Sequence, residues 1–365
     1  MKRISSKGFL YFYITILVLI YTVGCSGAVT WPQNISKTTF ETISRTPVEI
    51  WKQKQPATVS GIESADNNIL LITSHRGHVY LLDSETGDRI GKIWQAFISD
   101  ISSHSLDLNN DLLFIASRKK NQVIAHNIAQ GRTAWKKKIM DMQGKIVSYN
   151  DKIYILQQNG IVTALDKLKG KEVLTLQLNK AVEQGLFLWK NQLLLKTLDG
   201  ELIFLSLDLK IIKSLDLKLC AEPALSMTDQ FIIIVNCDGQ ITLLDQSGIL
   251  SHPFEISTET VYAPPQILGQ KLLLSLANGN IKSLNMNTGK RVWEFENGDG
   301  LLNLPVQTTE TQVIIPYSRG TIISLDLETG LEQWRYKLKH PIRHFKLTQM
   351  GLIVMDSKKY LSLIR

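Results

Sequence analysis

Along most of the chain, short runs of alternating apolar and polar residues are punctuated by glycine, the pattern of half-buried strands joined by tight turns. One arrangement returns at a nearly fixed interval. A turn residue followed by alternating apolar positions occurs at Gly77, Asn121, Gly160, Gly200, Gly239, Gly279, Gly320 and Lys359, with spacings of 44, 39, 40, 39, 40, 41 and 39 residues. Two positions on stands Val79, Val123, Val162, Leu202, Ile241, Ile281, Ile322 or Leu361, always aliphatic, as the buried face of a period-2 strand requires. A second apolar run precedes each turn residue, such as Ile69 to Thr73 or Phe231 to Val235. Each unit therefore contains a hairpin whose turn residue accepts a positive φ.

Ten residues after the reference position comes a second turn glycine, at Gly87, Gly131, Gly170, Gly289 and Gly330, and four further on stand Trp135, Trp293 and Trp334. Trp94 arrives three residues late. Eight such units fill residues 47–365. Strand alternation and turn glycines at this period exclude helical repeats and leave an all-β propeller of WD40, kelch or another kind. No Trp-Asp or Gly-Gly occurs, and the recurring Asp-Gly-x-Val-x-x-Leu-Asp-x-x-Thr-Gly-x-x-x-Trp resembles the PQQ-like propeller repeat. The resemblance implies an eight-bladed β-propeller of four-stranded antiparallel blades, with the Trp of the outer strand packed between blades. Leu174, Ser214 and Pro253 stand at the Trp position and Lys210 at a turn glycine, so the third to fifth blades are expected to be less regular. The last unit reaches Arg365 without a Trp strand, while Val48-Glu-Ile-Trp51 ahead of the first has the missing pattern. The N-terminal strand is expected to close the ring and remove an exposed edge.

The segment before residue 47 follows a different logic. Lys2, Arg3 and Lys7 precede Phe9 to Val23, a run of 15 residues without a charge. That length suits a signal peptide better than a bilayer span of about 20 residues. It ends in Tyr21-Thr22-Val23-Gly24-Cys25, which resembles the bacterial lipobox, with Thr22 as its one departure. The resemblance implies a lipoprotein signal peptide over residues 1–24, lipidation of Cys25, and attachment to a membrane by acyl chains rather than by a span. Ser26 after the cysteine is similar to the sorting pattern of outer-membrane lipoproteins. Residues 25–46 show no strand or helix period and read as a tether, reaching roughly 70 Å fully extended or about 25 Å if flexible.

Composition adds limits. The chain has 365 residues, 44% hydrophobic and 20% charged, with formal net charge +8, which is ordinary globular usage. Without the three leader cations the balance falls to 38 basic against 33 acidic side chains. Arg118-Lys-Lys120 and Lys136-Lys-Lys138 lack the interleaved aromatics of a nucleic-acid surface, so no nucleic-acid partner is expected, and attraction to an anionic membrane surface is a modest alternative.

A lipobox, a tether and eight PQQ-like blades together resemble the BamB family of propeller lipoproteins over nearly the whole chain. The resemblance implies a non-catalytic scaffold of the outer-membrane β-barrel assembly machinery. Such a protein sits on the periplasmic face of the outer membrane, binds a POTRA domain of the BamA subunit, and assists unfolded outer-membrane protein clients. In that family a Leu-x-Leu-Arg segment meets the POTRA domain. Leu215-Asp216-Leu217-Lys218, followed by Ala221-Glu222-Pro223, matches it with Lys for Arg, making Leu215, Leu217 and Lys218 the implied partner-binding residues. Exposed leucines beside a cation would make an apolar anchor with a charged rim, whereas inward leucines would be ordinary core. The family's acidic contacts align with Thr260 and Tyr262, where only neighbouring Glu259 is acidic.

The alternatives are a PQQ-dependent dehydrogenase-like enzyme or another envelope adaptor. The chain lacks the Cys-Cys pair and the long insertions of quinoprotein dehydrogenases, and no catalytic, cofactor or metal residue is expected. Asp107-Leu-Asn109-Asn-Asp111 begins like a calcium loop, but Leu112 and Arg118 replace its glycine and closing Glu. The pairs His75/His78 and His340/His344 have no obvious third ligand. A disulfide between Cys220 and Cys237 is expected in an oxidising envelope: a hairpin turning at Thr228-Asp229 would set them opposite each other, with Cα atoms about 4.5 Å apart in a non-hydrogen-bonded pair.

Overall fold

The computed structural model describes residues 46–365 apart from 67, 96–100, 102, 221–222, 246–253, 256–259, 297–298 and 303. The leader, Cys25, residues 26–45 of the tether and Glu259 lie outside the described residues. Eight four-stranded antiparallel sheets follow one another along the chain. Blade 1 is Val59–Asp66, Ile69–Ser74, His78–Asp83 and Arg89–Gln95, from the inner strand to the outer. Blades 2 to 7 repeat that order over residues 103–138, 142–177, 182–216, 224–255, 266–295 and 307–337.

Blade 8 takes Ile342–Thr348, Gly351–Asp356 and Tyr360–Ile364 from the C-terminal end and its outer strand, Glu49–Lys54, from the N-terminal end. Trp51 pairs with Leu363 and Lys54 with Tyr360, and Val48 and Arg365 exchange both backbone hydrogen bonds, at 2.9 and 3.0 Å. The N-terminal strand closes the ring as its pattern predicts.

Among the described residues the core is divided between the blades. The buried apolar residues form eight clusters, each shared by two neighbouring blades, from the Trp51–Val59–Tyr80–Met355 group between blades 8 and 1 round to the Ile314–Trp334–Leu352 group between blades 7 and 8. This is why the two middle strands of a blade read as continuous apolar runs: both of their faces are covered. Tryptophan completes the wedge. The Trp51, Trp135 and Trp293 indoles donate to the carbonyls of Ser84, Lys167 and Leu327 at 3.0, 2.7 and 3.0 Å. Each acceptor lies in the outer turn of the next blade. The turn glycine above each ring is obligatory: a Cβ on Gly87, Gly170 or Gly330 would lie about 2.5 Å from it.

Blades 3 and 4 are more regular than their sequence departures suggest. Each has a full six-residue outer strand, Glu172–Gln177 and Ile211–Asp216. Leu174 packs in the Trp position against the blade 3–4 cluster, and Leu209 takes the left-handed turn conformation, φ 58°, ahead of Lys210. In blade 5 the outer strand is described only at Phe254–Glu255, because residues 246–253 and 256–259 on either side lie outside the described residues.

Candidate interaction surface

The candidate partner-binding residues lie where blade 4 hands over to blade 5. Leu215 is the penultimate residue of the outer strand of blade 4, Ile211–Asp216, and Leu217 lies just past its end. Both are half-buried against the blade 4–5 cluster that includes Trp189, Phe204 and Leu225. The expected pair of exposed leucines is therefore absent: alternation along the strand turns both inward, and the exposed positions are Asp216 and Lys218. Lys218 has φ 49°, and its N–H reaches Asp216 Oδ1 at 3.3 Å. The chain then turns in. Leu219 N–H donates to the Gly200 carbonyl at 3.1 Å, and a Cβ on Gly200 would come 2.7 Å from Leu219 N, so this connection is held against the hairpin tip of blade 4.

That tip carries a residue the sequence reading missed. Leu198, 58% exposed, occupies the second position of the hairpin turn, where the other blades have His75, Lys119, Gln158, Cys237, Ala277, Ser318 and Ser357. Aligning the eight tips is the signal that finds it, since no other tip carries a large aliphatic side chain at this second position. Leu198 is thus the exposed apolar group of the blade 4 tip, its N–H donating to the Ala181 carbonyl at 3.0 Å. Lys218 passes the same tip at Gly200, while Leu215 and Leu217 pack inward on the blade 4–5 cluster. Around the tip, Lys180 Nζ bonds Glu201 Oε1 at 2.5 Å, and Ser214 Oγ donates to Glu201 Oε2 at 2.7 Å. The Lys180 ammonium, followed by the Ser214 hydroxyl, holds the Glu201 carboxyl below its usual range, and the bond to Glu201 raises Lys180. Tyr262, on the next connection, is 43% exposed, and Thr260 is exposed beside it.

Cys220 and Cys237 flank this surface as a disulfide with Cα atoms 6.0 Å apart. They are not the opposed ladder pair that the sequence suggested. The hairpin pairs Ala224 with Val235 and Met227 with Ile232, and turns over Thr228–Phe231, where Thr228 Oγ1 accepts from Gln230 N and Phe231 N at 3.3 and 3.0 Å. That hydroxyl-centred turn moves the register by two residues. The cysteines therefore lie outside the ladder, in the connection and the hairpin tip.

The sequence's enzyme-like features fall elsewhere. Asp107, buried, pairs with buried Lys167 at 2.9 Å and accepts from Asn110 at 3.0 Å. These groups line a cavity of about 500 Å³ with Glu63, Ser148 and Tyr149. An ammonium in the place of a cation answers the Asp107 carboxylate, so the calcium-loop reading does not hold there. His78 Nδ1 lies 3.2 Å from Ser74 Oγ, and burial lowers the His344 imidazole. Among the described residues no group of three or more His, Cys, Asp or Glu could hold a metal ion.

The family described as outer membrane protein assembly factor BamB matches residues 119–245 and 189–357, together about two thirds of the chain. No curated protein matches the sequence. Among solved structures, the crystal structure of BamB from Moraxella catarrhalis is similar with a TM-score of 0.68 at 15% identity, covering 88% of this chain and all of that one. A computationally designed protein, Ika8, is similar with a TM-score of 0.69 at 13% identity, over 86% of this chain and 98% of its own. A designed protein that superposes as well as a natural one makes the meaning of these likenesses plain: they are likenesses of fold.

Proposed function

The chain belongs to the outer membrane protein assembly factor BamB family, and from that membership we propose that it is a non-catalytic scaffold of the outer-membrane β-barrel assembly machinery. The family match across residues 119–357 carries this reading, since it spans the blade 4–5 connection and its neighbours. In it, a POTRA domain of a BamA-like subunit docks on the patch of Leu198, Lys218, Leu215 and Leu217, and unfolded outer-membrane protein clients are passed to the barrel-forming subunit. Lipidated Cys25 holds the propeller on the periplasmic face of the outer membrane. An exposed aliphatic tip held against the connection, with its half-buried leucines and exposed Lys218 and Asp216, has the make-up of a small binding hot spot. Lysine supplies the charge without the bidentate fork of arginine, so pairing with a carboxylate is looser.

Capture by the immobilised POTRA-domain array of the same organism tests the docking. Leu198→Asp with Lys218→Ala, both exposed, should weaken capture at least tenfold while the melting temperature stays within a few degrees. Leu217→Ala removes packing from the blade 4–5 cluster and should lower stability as well. Undiminished capture by the folded double variant would reject the patch. Mass spectrometry of the mature N-terminus tests the anchor, and an unmodified Cys25 would reject it.

A further inference from the structure

The eight inner hairpins are built alike. Each closes with the same bond from the fourth turn residue to the first, between 2.9 and 3.2 Å, and the fourth residue has a positive φ even where it is Asn121 or Lys359. The third turn residue is exposed in every blade: Arg76, Lys120, Asn159, Asp199, Asp238, Asn278, Arg319 and Lys358, in the order of blades 1 to 8. Taken round the ring from blade 7, this single position runs Arg, Lys, Arg, Lys, Asn, Asp, Asp, Asn. Four contiguous blades carry cations, and the opposite blades carry the acids.

Neighbouring residues deepen the contrast. Arg118 and Lys119 precede Lys120, and Lys359 follows Lys358. Lys138 pairs across from Gln122 at the foot of the blade 2 tip, which joins the two basic runs of the sequence at one corner. The blade 7–8 connection, with exposed Lys339, runs beside the blade 7 tip, where a Cβ on Gly320 would lie 2.6 Å from the His340 carbonyl oxygen. The acidic side chain at the blade 8 tip, Asp356, is buried and turned into the hairpin, accepting from Lys358 N and Tyr360 N at 2.8 and 3.0 Å.

We propose that the hairpin tips of blades 7, 8, 1 and 2 form a docking surface for the anionic headgroups of a membrane. Shape selects this partner. Equivalent tips of a closed ring stand at equal height, so an arc of four can meet a flat surface at once, while an acidic globular protein would need a concave face to reach them all. The half that carries Asp199 and Asp238 has no such run of cations at this position, Asp199 being balanced by Lys180 at 3.9 Å, so the arc of blades 7 to 2 is the side drawn to the lipid. The proposal rests on this charge pattern and is independent of the docking patch and of Cys25.

Vesicle co-sedimentation tests it with the chain from residue 25 onward carrying Cys25→Ser. That chain keeps every described strand and removes both the apolar leader and the acylation site. A Lys or Arg near an anionic surface is worth about fivefold in binding, so Arg118→Gln with Lys119→Gln and Lys120→Gln should weaken binding to phosphatidylglycerol-rich vesicles at least tenfold. Arg319→Gln with Lys358→Gln should also weaken it, and high salt should abolish it. Asp199→Asn with Asp238→Asn should bind as well or better, and Lys169→Gln with Lys171→Gln, on the opposite face, should change nothing. Equal binding to phosphatidylcholine, no binding at low salt, or an equal loss in the opposite-face variant would overturn the proposal. Binding to polyglutamate without binding to vesicles would overturn it in favour of an acidic protein.

Discussion

The tryptophan wedges offer an internal comparison that separates a hydrogen bond from the packing around it. Trp51, Trp293 and Trp334 are similarly buried, at 9%, 7% and 5% exposure, and Phe in their place removes the same part of the indole. At Trp51 and Trp293 the N–H is bonded to a turn carbonyl of the next blade, at 3.0 Å in each case. At Trp334 the next blade is blade 8, whose third and fourth strands come from opposite ends of the chain and share no covalent turn, and the Trp334 Nε1 has no hydrogen-bond partner among the described residues. Trp→Phe at 51 or 293 should therefore lose a bond worth about 1 kcal/mol and leave a buried carbonyl unanswered, while at 334 it removes a buried donor whose desolvation already costs about 1–3 kcal/mol. We predict that Trp334→Phe is less destabilising than the other two by about 2 kcal/mol. Urea unfolding measures it, with equal m-values required before midpoints are converted to free energies. A Trp334→Phe loss equal to or greater than those of Trp51→Phe and Trp293→Phe would refute the reasoning.

Three further outcomes follow from the same structure. Deleting residues 47–53 removes Trp51 and bares the Tyr360–Ile364 edge; loss of a buried tryptophan alone costs about 3–5 kcal/mol, so the melting temperature should fall markedly, and an unchanged one would contradict strand closure. Burial lowers the His126 imidazole to about 4, so the unfolded chain takes up a proton first as pH falls, and stability present above pH 6.5 is lost on the way down to pH 4, about 2 kcal/mol of it between pH 7 and 5. His126→Gln should flatten that part of the pH profile, and a profile identical to the parent's would exclude His126 as its source. Non-reducing peptide mapping should link Cys220 to Cys237, and since the bridge closes a loop of separation 17, its reduction should cost about 3 kcal/mol; free thiols in protein prepared under oxidising conditions would rule the bond out.

The architecture was legible because a propeller repeats one decision. A one-residue slip in any strand would turn its apolar face to water, so the aliphatic residue two positions past each hairpin turn fixes the register of every blade. Closure was legible for the same reason, since Val48-Glu-Ile-Trp51 is the missing fourth strand of a known unit. Reading irregularity from missing signals worked less well. Leu174 fills a tryptophan's place by burial, and Leu209 adopts the backbone conformation usually left to glycine, because neighbouring blades impose the geometry from both sides. The expectation attached to Pro253 lies outside the described residues.

The surface was harder to read, for a physical reason. Burial is scored within a blade, by alternation along one strand, but a docking face is assembled across blades from turn residues about 40 positions apart. The family resemblance points to Leu215 and Leu217 through a local Leu-x-Leu pattern, and the alternation in that pattern turns both inward. Leu198 belongs to no local pattern and stands out only when the eight hairpin tips are aligned. The basic runs Arg118-Lys-Lys120 and Lys136-Lys-Lys138 are two separate stretches in sequence, and the ladder pairing of Gln122 with Lys138 brings them to one corner. A closed ring converts one turn position into eight points on a plane. Charge that is unremarkable along the chain, with 41 basic and 33 acidic residues, becomes on that plane a cationic arc facing an acidic one.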